Sequence, residues 1–180
     1  FKRLVTVFDR RRKLNILPKN TEVLLYINSN NTFASLNFLK DMSETVFFEQ
    51  SNRINLHTSS RVSYIHNMKT PVWLVLFSLI CFPYFSVKYW WKIVKYPNLF
   101  FENFGKEYVN SRLLKKYKNL KKVVFANDHN VENRLFKTAC KMQNIKTIYL
   151  QHASITSFFP KLDFDQSFLF GECDLKKYLS

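Results

Sequence analysis

The chain has 180 residues, enough for one domain with a real hydrophobic core. At 47% hydrophobic and 17% aromatic it is too apolar for the disordered class. Its 28 Lys and Arg against 13 Asp and Glu leave a formal charge of +15, which suits an anionic partner: lipid headgroups, nucleic acid or a phosphorylated substrate. A bias toward Lys, Asn, Phe, Ile and Tyr, as an AT-rich genome produces, accounts for part of that charge. Cys81, Cys140 and Cys173 show no paired spacing and read as reduced thiols, which favours a cytosolic setting. The four histidines, His57, His66, His129 and His152, include no close pair at metal-ligand spacing, so neither metal nor cofactor is expected. The chain opens at Phe1 with no secretory signal and reads as a piece of a longer protein.

Residues 1–20 carry the run Arg10-Arg11-Arg12-Lys13, a solvated start or a basic patch for an anionic membrane. Residues 22–27 (EVLLYI) predict a buried strand that ends in a polar tip at 28–32. Thr32 is placed to cap an amphipathic helix over 33–42, with Phe33, Leu36, Phe38, Leu39 and Met42 on its apolar face. Residues 45–48 (TVFF) predict a second strand ending at Glu49, and 50–69 form a polar loop with room for one short strand.

Residues 70–87 run for eighteen positions without a charge. As a helix they would be roughly 27 Å long, close to the ~30 Å hydrocarbon core of a bilayer. Lys88-Tyr89-Trp90-Trp91-Lys92 follows, an aromatic and basic group suited to a membrane interface. One span would leave the strands on either side of it on opposite faces of the membrane, unable to share a sheet. Pro83 also removes a backbone bond that lipid cannot replace. The stretch near 70–92 is therefore expected as a hydrophobic insertion, either lying in the membrane plane or buried.

From Pro97 a long amphipathic helix is expected to about residue 119, its other face basic through Lys106, Arg112, Lys115, Lys116 and Lys118. Two strand–tip units follow. Residues 123–126 lead to Asn127-Asp128-His129 and a helix over 131–143. Residues 147–150 lead to Gln151-His152, then a loop carrying Pro160, Asp163 and Asp165. A buried strand over 167–170 ends at Gly171-Glu172, and a short helix over 174–179 closes the chain. The fold class is α/β, a Rossmann-like parallel sheet flanked by helices, whose polar tips gather on one edge.

That edge would collect Asn28, Glu49, Asn127, Asp128, His129, Gln151, His152 and Glu172. The set supplies a base (His152 or His129), a carboxylate to orient it (Asp128), and amides for sugar hydroxyls (Asn127, Gln151). Each has a plainer role open to it. Asn127 or Asp128 could cap the next helix, His129 could be an exposed loop residue, and Asp163 and Asp165 could brace their loop. No Gly-rich phosphate loop and no Ser nucleophile elbow is present, so a phosphate would need helix N-termini or basic side chains.

The segment IKTIYLQHAS…FPKLDFDQSFLFGE, with VVFANDHNVENRLFKTACKMQNI before it, resembles bacterial surface-polysaccharide transferases. The resemblance is to the clan of CDP-glycerol glycerophosphotransferases, bacterial polysialyltransferases and capsule glycosyltransferases, and it covers about residues 120–173. It implies one half of a GT-B enzyme. Residues 1–180 would be the N-terminal, acceptor-side domain, with the donor-binding C-terminal domain absent. It also implies that His152 is the base, because the glycerophosphotransferases carry a Gln-x-Trp-His-Gly motif at a strand end. Here Leu150-Gln151 precede the histidine, and Ala153-Ser154 stand where Gly-Thr is usual. With the polar tips, Ser154, Asn28 and Glu172 complete the expected substrate-binding set.

The implied partners are a nucleotide-activated sugar or polyol phosphate donor, a polysaccharide or lipid-linked acceptor, and an anionic membrane surface. The implied place is cytoplasmic, peripheral on the inner face of the cell membrane. Competing readings are a sugar-nucleotide epimerase fragment, a non-catalytic membrane-surface scaffold, and a basic nucleic-acid-binding module. The last is disfavoured because the aromatic residues sit in core-like runs rather than among the Lys and Arg.

Overall fold

The computed structural model describes residues 20–42, 45–49, 62–64, 76, 77, 79–81, 83, 84, 87, 88, 95, 103, 105–127, 129–154 and 161–179. Six strands form one sheet: β1 (Val23–Ile27), β2 (Thr45–Glu49), β3 (Val62–Tyr64), β4 (Lys122–Phe125), β5 (Lys146–Leu150) and β6 (Gln166–Phe168). Their spatial order is β3-β2-β1-β4-β5-β6, and every neighbouring pair is parallel. The chain starts at the centre, winds out to β3, returns beside β1 and winds out the other way. That is the doubly wound order, with its topological switch between β1 and β4. The fold is α/β and Rossmann-like, as the strand–tip–helix pattern predicts.

Both faces of the central strands are covered, which is why the strands read as unbroken apolar runs rather than alternating ones. On one face Leu24, Tyr26, Val46, Phe48, Val123 and Phe125 form a core with Leu113 and Leu114 of one helix and Phe136, Ala139 and Cys140 of another. These helices are Lys106–Leu114 and Val131–Met142. Tyr26 sits at the centre, its ring 4.8 Å from Phe136, 5.2 Å from Phe125 and 5.6 Å from Phe48. On the other face Leu25, Ile27, Phe47, Val124 and Ala126 pack with Leu36 and Phe33 of the helix Asn30–Leu36. In chain order the helices whose bounds fall within the described residues are α1 (Asn30–Leu36), α2 (Lys106–Leu114), α3 (Val131–Met142) and α4 (Glu172–Leu179).

Four expectations are corrected. The first helix begins at Asn30, not Phe33, and its cap is Ser29 rather than Thr32. Thr32 completes a capping box: Ser29 Oγ accepts from Thr32 N–H at 3.2 Å, and Thr32 Oγ1 accepts from Ser29 N–H at 3.0 Å. The helix gives way to a 3-10 turn at Asn37–Leu39. The tighter winding turns Phe38 away from the core, leaving it 71% exposed, with Met42 also exposed.

The helix expected over 97–119 has α2 as its described part, and the chain leaves the helix after Leu114. Gly105, at φ 71°, precedes it in the left-handed region that glycine tolerates. Beyond Leu114 the chain turns so that Leu120 is buried and β4 can begin.

The third correction is β6. The apolar run at 167–170 predicts a buried strand, but Gln166, Ser167 and Phe168 are all exposed on the sheet edge, and Phe170 beyond them is exposed as well. Apolar content alone does not separate an edge strand from a buried one. The last helix, fourth, begins at Glu172 rather than Asp174.

The segment before β6 is tied down by polar groups. Asp165 Oδ2 accepts from the Thr147 backbone N–H at 2.7 Å and from its hydroxyl at 2.8 Å. Asp163 bridges Lys137, at 3.2 Å, and Lys141. Between them Phe164 stacks on Tyr149 at 5.2 Å, with the Lys137 ammonium 4.7 Å from its ring centre. The Thr147 bonds hold the Asp165 carboxyl below its ordinary range, and the Lys141 bond does the same for Asp163. A depressed carboxylate stabilises the fold above its unfolded-state pKa and loses that contribution as pH falls. Stability in urea should therefore drop between about pH 5 and pH 2. Asp165→Asn should cost about 1 kcal/mol at neutral pH, a low value because the group is solvent-screened, and should flatten part of that slope. An unchanged slope in the variant would assign the acid sensitivity elsewhere.

All three cysteines are free: Cys140 is buried, Cys81 half-buried and Cys173 exposed. Burial pushes the Cys140 thiol far up, so it is chemically inert. Among the described residues no helix is long and apolar enough to cross a membrane. Those of the 70–92 stretch that are described are helical, and Leu76, Phe77, Leu79, Ile80, Tyr84 and Val87 are exposed. The basic start at 1–19 and the remainder of 70–92 lie outside the described residues.

Candidate functional site

In a parallel sheet every strand ends on the same edge, so the polar residues after β1, β4, β5 and β6 share one rim. At the switch point the rim is a ladder of amides. Asn28, following β1, is 8% exposed and donates through Nδ2 to Asn133 Oδ1 at 2.8 Å. Asn133 in turn donates through Nδ2 to the Asn127 carbonyl at 2.5 Å. Thr32 accepts from the Asn28 N–H at 3.1 Å and donates to Asn28 Oδ1 at 3.3 Å. Asn28 and Asn127, both expected at the site, are thus joined across the β1–β4 crevice by a residue of α3. Asn127 Oδ1 accepts from the His129 N–H at 3.1 Å, a local turn. The cap position of α3 belongs to Asn130, which makes no side-chain cap bond, so Asn127 does not cap it.

After β5, Gln151 is 6% exposed and its amide is engaged by the protein. Oε1 accepts from the Phe170 N–H at 3.0 Å, while Nε2 donates to Asp174 Oδ2 at 2.7 Å and to the Ala153 carbonyl at 3.0 Å. These bonds lock the loop after β5 to the first turn of α4. The Gln151 bond, with Lys177 beside it, holds the Asp174 carboxyl below its ordinary range.

His152 follows. It is half-buried, and its Nδ1 is buried with no hydrogen-bond partner among the described residues. A buried ring nitrogen without a partner costs on the order of 1–3 kcal/mol, whichever tautomer is present. Such a group stands out against the paired amides around it.

Ser154 is exposed, as are His129 and Glu172, the first residue of α4. Gly171 beside Glu172 is open, since a Cβ placed there would meet nothing within 4 Å. Asp128 and the Glu49 side chain lie outside the described residues. Among the described residues no group of three His, Cys, Asp or Glu side chains gathers as a metal site.

Three residues of this rim escaped the sequence reading: Asn133, Thr32 as a rung rather than a cap, and Asp174. Asn133 had a signal. It falls on the buried stripe of α3 with Phe136 and Cys140, where a polar residue must find a partner. No protein-family model, curated protein or solved structure matches this chain.

Proposed function

We propose that this domain is the acceptor side of a GT-B-type transferase of bacterial surface polysaccharide synthesis, passing a sugar or polyol phosphate from a nucleotide-activated donor to a growing polymer. The observation that carries the reading is His152: a histidine at a strand end on the rim of a doubly wound sheet, with a buried Nδ1 that has no partner among the described residues. The resemblance of residues 120–173 to surface-polysaccharide transferases supports the chemical class.

In this reading the acceptor hydroxyl attacks the donor's anomeric carbon or phosphorus, and the bond to the leaving nucleotide breaks. His152 takes the hydroxyl proton as the new bond forms. Asp128, next to Asn127, is the carboxylate that orients the ring. Asn127, His129, Ser154, Asn28 and Glu172 bound the acceptor cleft, and Gln151 fixes the strand end from which His152 projects. The nucleotide is held chiefly by a companion domain. The exposed apolar residues Leu76, Phe77, Leu79, Ile80, Tyr84 and Val87, each helical, keep the protein at the inner face of the membrane, near a lipid-linked acceptor.

The test is ligand preference measured by calorimetry on this chain. An oligosaccharide or polyol-phosphate acceptor should bind, and CDP-, UDP- and CMP-linked donors should bind far more weakly. Micromolar affinity for a donor with none for any acceptor would overturn the assignment of this domain to the acceptor side.

A further inference from the structure

The rim opposite the candidate site has a different character. β4 and β5 begin with lysines that face each other in register, Lys122 opposite Lys146. Both are exposed. Like charges directly opposite one another on neighbouring strands repel, and nothing in the sheet's packing calls for lysine there. The turn that feeds β4 adds Lys115, Lys116, Lys118 and Lys121, all exposed. The Lys121 backbone lies between the entries of β1 and β5, donating to the Glu22 carbonyl at 2.9 Å and accepting from the Lys146 N–H at 3.0 Å. Among the described residues the Glu22 carboxylate offsets this group, paired with Lys121 at 2.6 Å. The topology thus concentrates six cations on the amino-terminal rim, while His152 sits at the carboxyl-terminal one.

We propose that this amino-terminal lysine rim is the face that docks on an anionic membrane. The inference deepens the membrane part of the reading above without depending on the chemistry at His152. Two features favour lipid headgroups over nucleic acid. The rim is built from lysines, whose ammonium groups act as mobile point charges suited to a diffuse headgroup layer rather than to bidentate phosphate recognition. The same chain also carries exposed apolar residues in helical conformation, Leu76, Phe77, Leu79, Ile80, Tyr84 and Val87, beside exposed Lys88, a set that a membrane interface accommodates and a nucleic acid does not.

The experiment is co-sedimentation of the whole chain with vesicles of phosphatidylcholine and phosphatidylglycerol, against phosphatidylcholine alone. Each lysine near an anionic surface strengthens binding roughly five-fold, so removing three should weaken it on the order of 100-fold. The Lys115→Gln, Lys116→Gln, Lys118→Gln variant should show that loss, the corresponding Arg substitutions should restore binding, and added salt should release the parent. A control carrying Lys106→Gln, Arg134→Gln and Lys176→Gln, the first two in the amino-terminal halves of α2 and α3 toward the other rim and the third midway along α4, lowers net charge equally and should lose far less. All six positions are solvent-exposed or half-exposed, and far-UV circular dichroism will verify that each variant is folded.

Equal loss in the control would reduce the effect to net charge and overturn the proposal. So would a single-stranded RNA that binds the rim more tightly than the vesicles at the same salt and is lost in the same triple variant. Vesicle binding that fails while acceptor binding persists would sink the docking face alone. The reverse outcome would sink the transferase reading alone.

Discussion

On the proposed transferase reading, His152→Ala should lower turnover by about 100- to 10,000-fold, the range over which a positioned general base acts. The melting temperature should barely move. An acceptor hydroxyl is a poor nucleophile until its proton leaves as the bond forms, and an imidazole nitrogen is the side-chain group most often used to take it. The structural grounds are as specific as the chemical ones. Around His152 the neighbouring polar side chains have partners: Gln151 is held by Phe170, Asp174 and Ala153, and Asn28 by Asn133 and Thr32. The His152 Nδ1 has none among the described residues. Removing it breaks no Nδ1 hydrogen bond among the described residues and deletes an unsatisfied atom, so stability should be unchanged or slightly improved. A structural histidine would behave in the opposite way. Turnover and thermal melting, measured side by side, separate the two. A variant that stays active, or one that loses activity only by unfolding, removes His152 from the mechanism.

What the sequence made legible follows from what each element buries. Strands β1, β2, β4 and β5 lie in the sheet interior, covered on both faces over much of their length, so EVLLYI, TVFF and their fellows stand out as short apolar runs. Their turn-bounded spacing suffices to predict a parallel sheet. The strand at the edge did not announce itself. QSF in β6 is exposed throughout, and Phe168 and Phe170 looked like core residues because hydrophobicity carries no record of which neighbour is missing. Helix ends were displaced for a related reason. Ser29 and Thr32 are both good caps by type, and only the reciprocal bonds of the capping box decide which one terminates the helix.

The rim itself was half legible. Strand ends can be counted from sequence, so Asn28, Asn127, Gln151 and His152 could be placed on one edge. The bonds among them depend on partners far apart in the chain. Asn28 and Asn133 are separated by 105 positions, and Gln151 and Asp174 by 23. No local pattern encodes those pairings, because they exist only once the sheet has brought β1 beside β4 and β5 beside β6. The paired lysines at the other rim were likewise visible only as charge until the register set Lys122 against Lys146.

Asn133→Ala should be among the most destabilising single changes at the rim, costing about 2–5 kcal/mol. Asn133 is 2% exposed, and its amide is the only link among the described residues between the Asn28 side chain and the Asn127 carbonyl. Truncation strands a donor on one side and an acceptor on the other, each buried or half-buried, and leaves a gap where water is poorly supplied with partners. In a chain of this size the loss corresponds to a fall of about 5–15 °C in melting temperature. Asn133→Asp keeps the acceptor for Asn28 but turns a donor toward Asn127 into a second acceptor and buries a charge, so it should fare no better. The decisive measurement is a double-mutant cycle in urea. Asn28→Ala alone should be costly, but Asn28→Ala with Asn133→Ala should fall short of the summed costs by about 0.5–3 kcal/mol, because the two side chains satisfy each other. Strict additivity would mean that the ladder does not bridge the β1–β4 crevice. The switch point would then have to be held by apolar packing of Phe136 against Tyr26 and Phe125 alone.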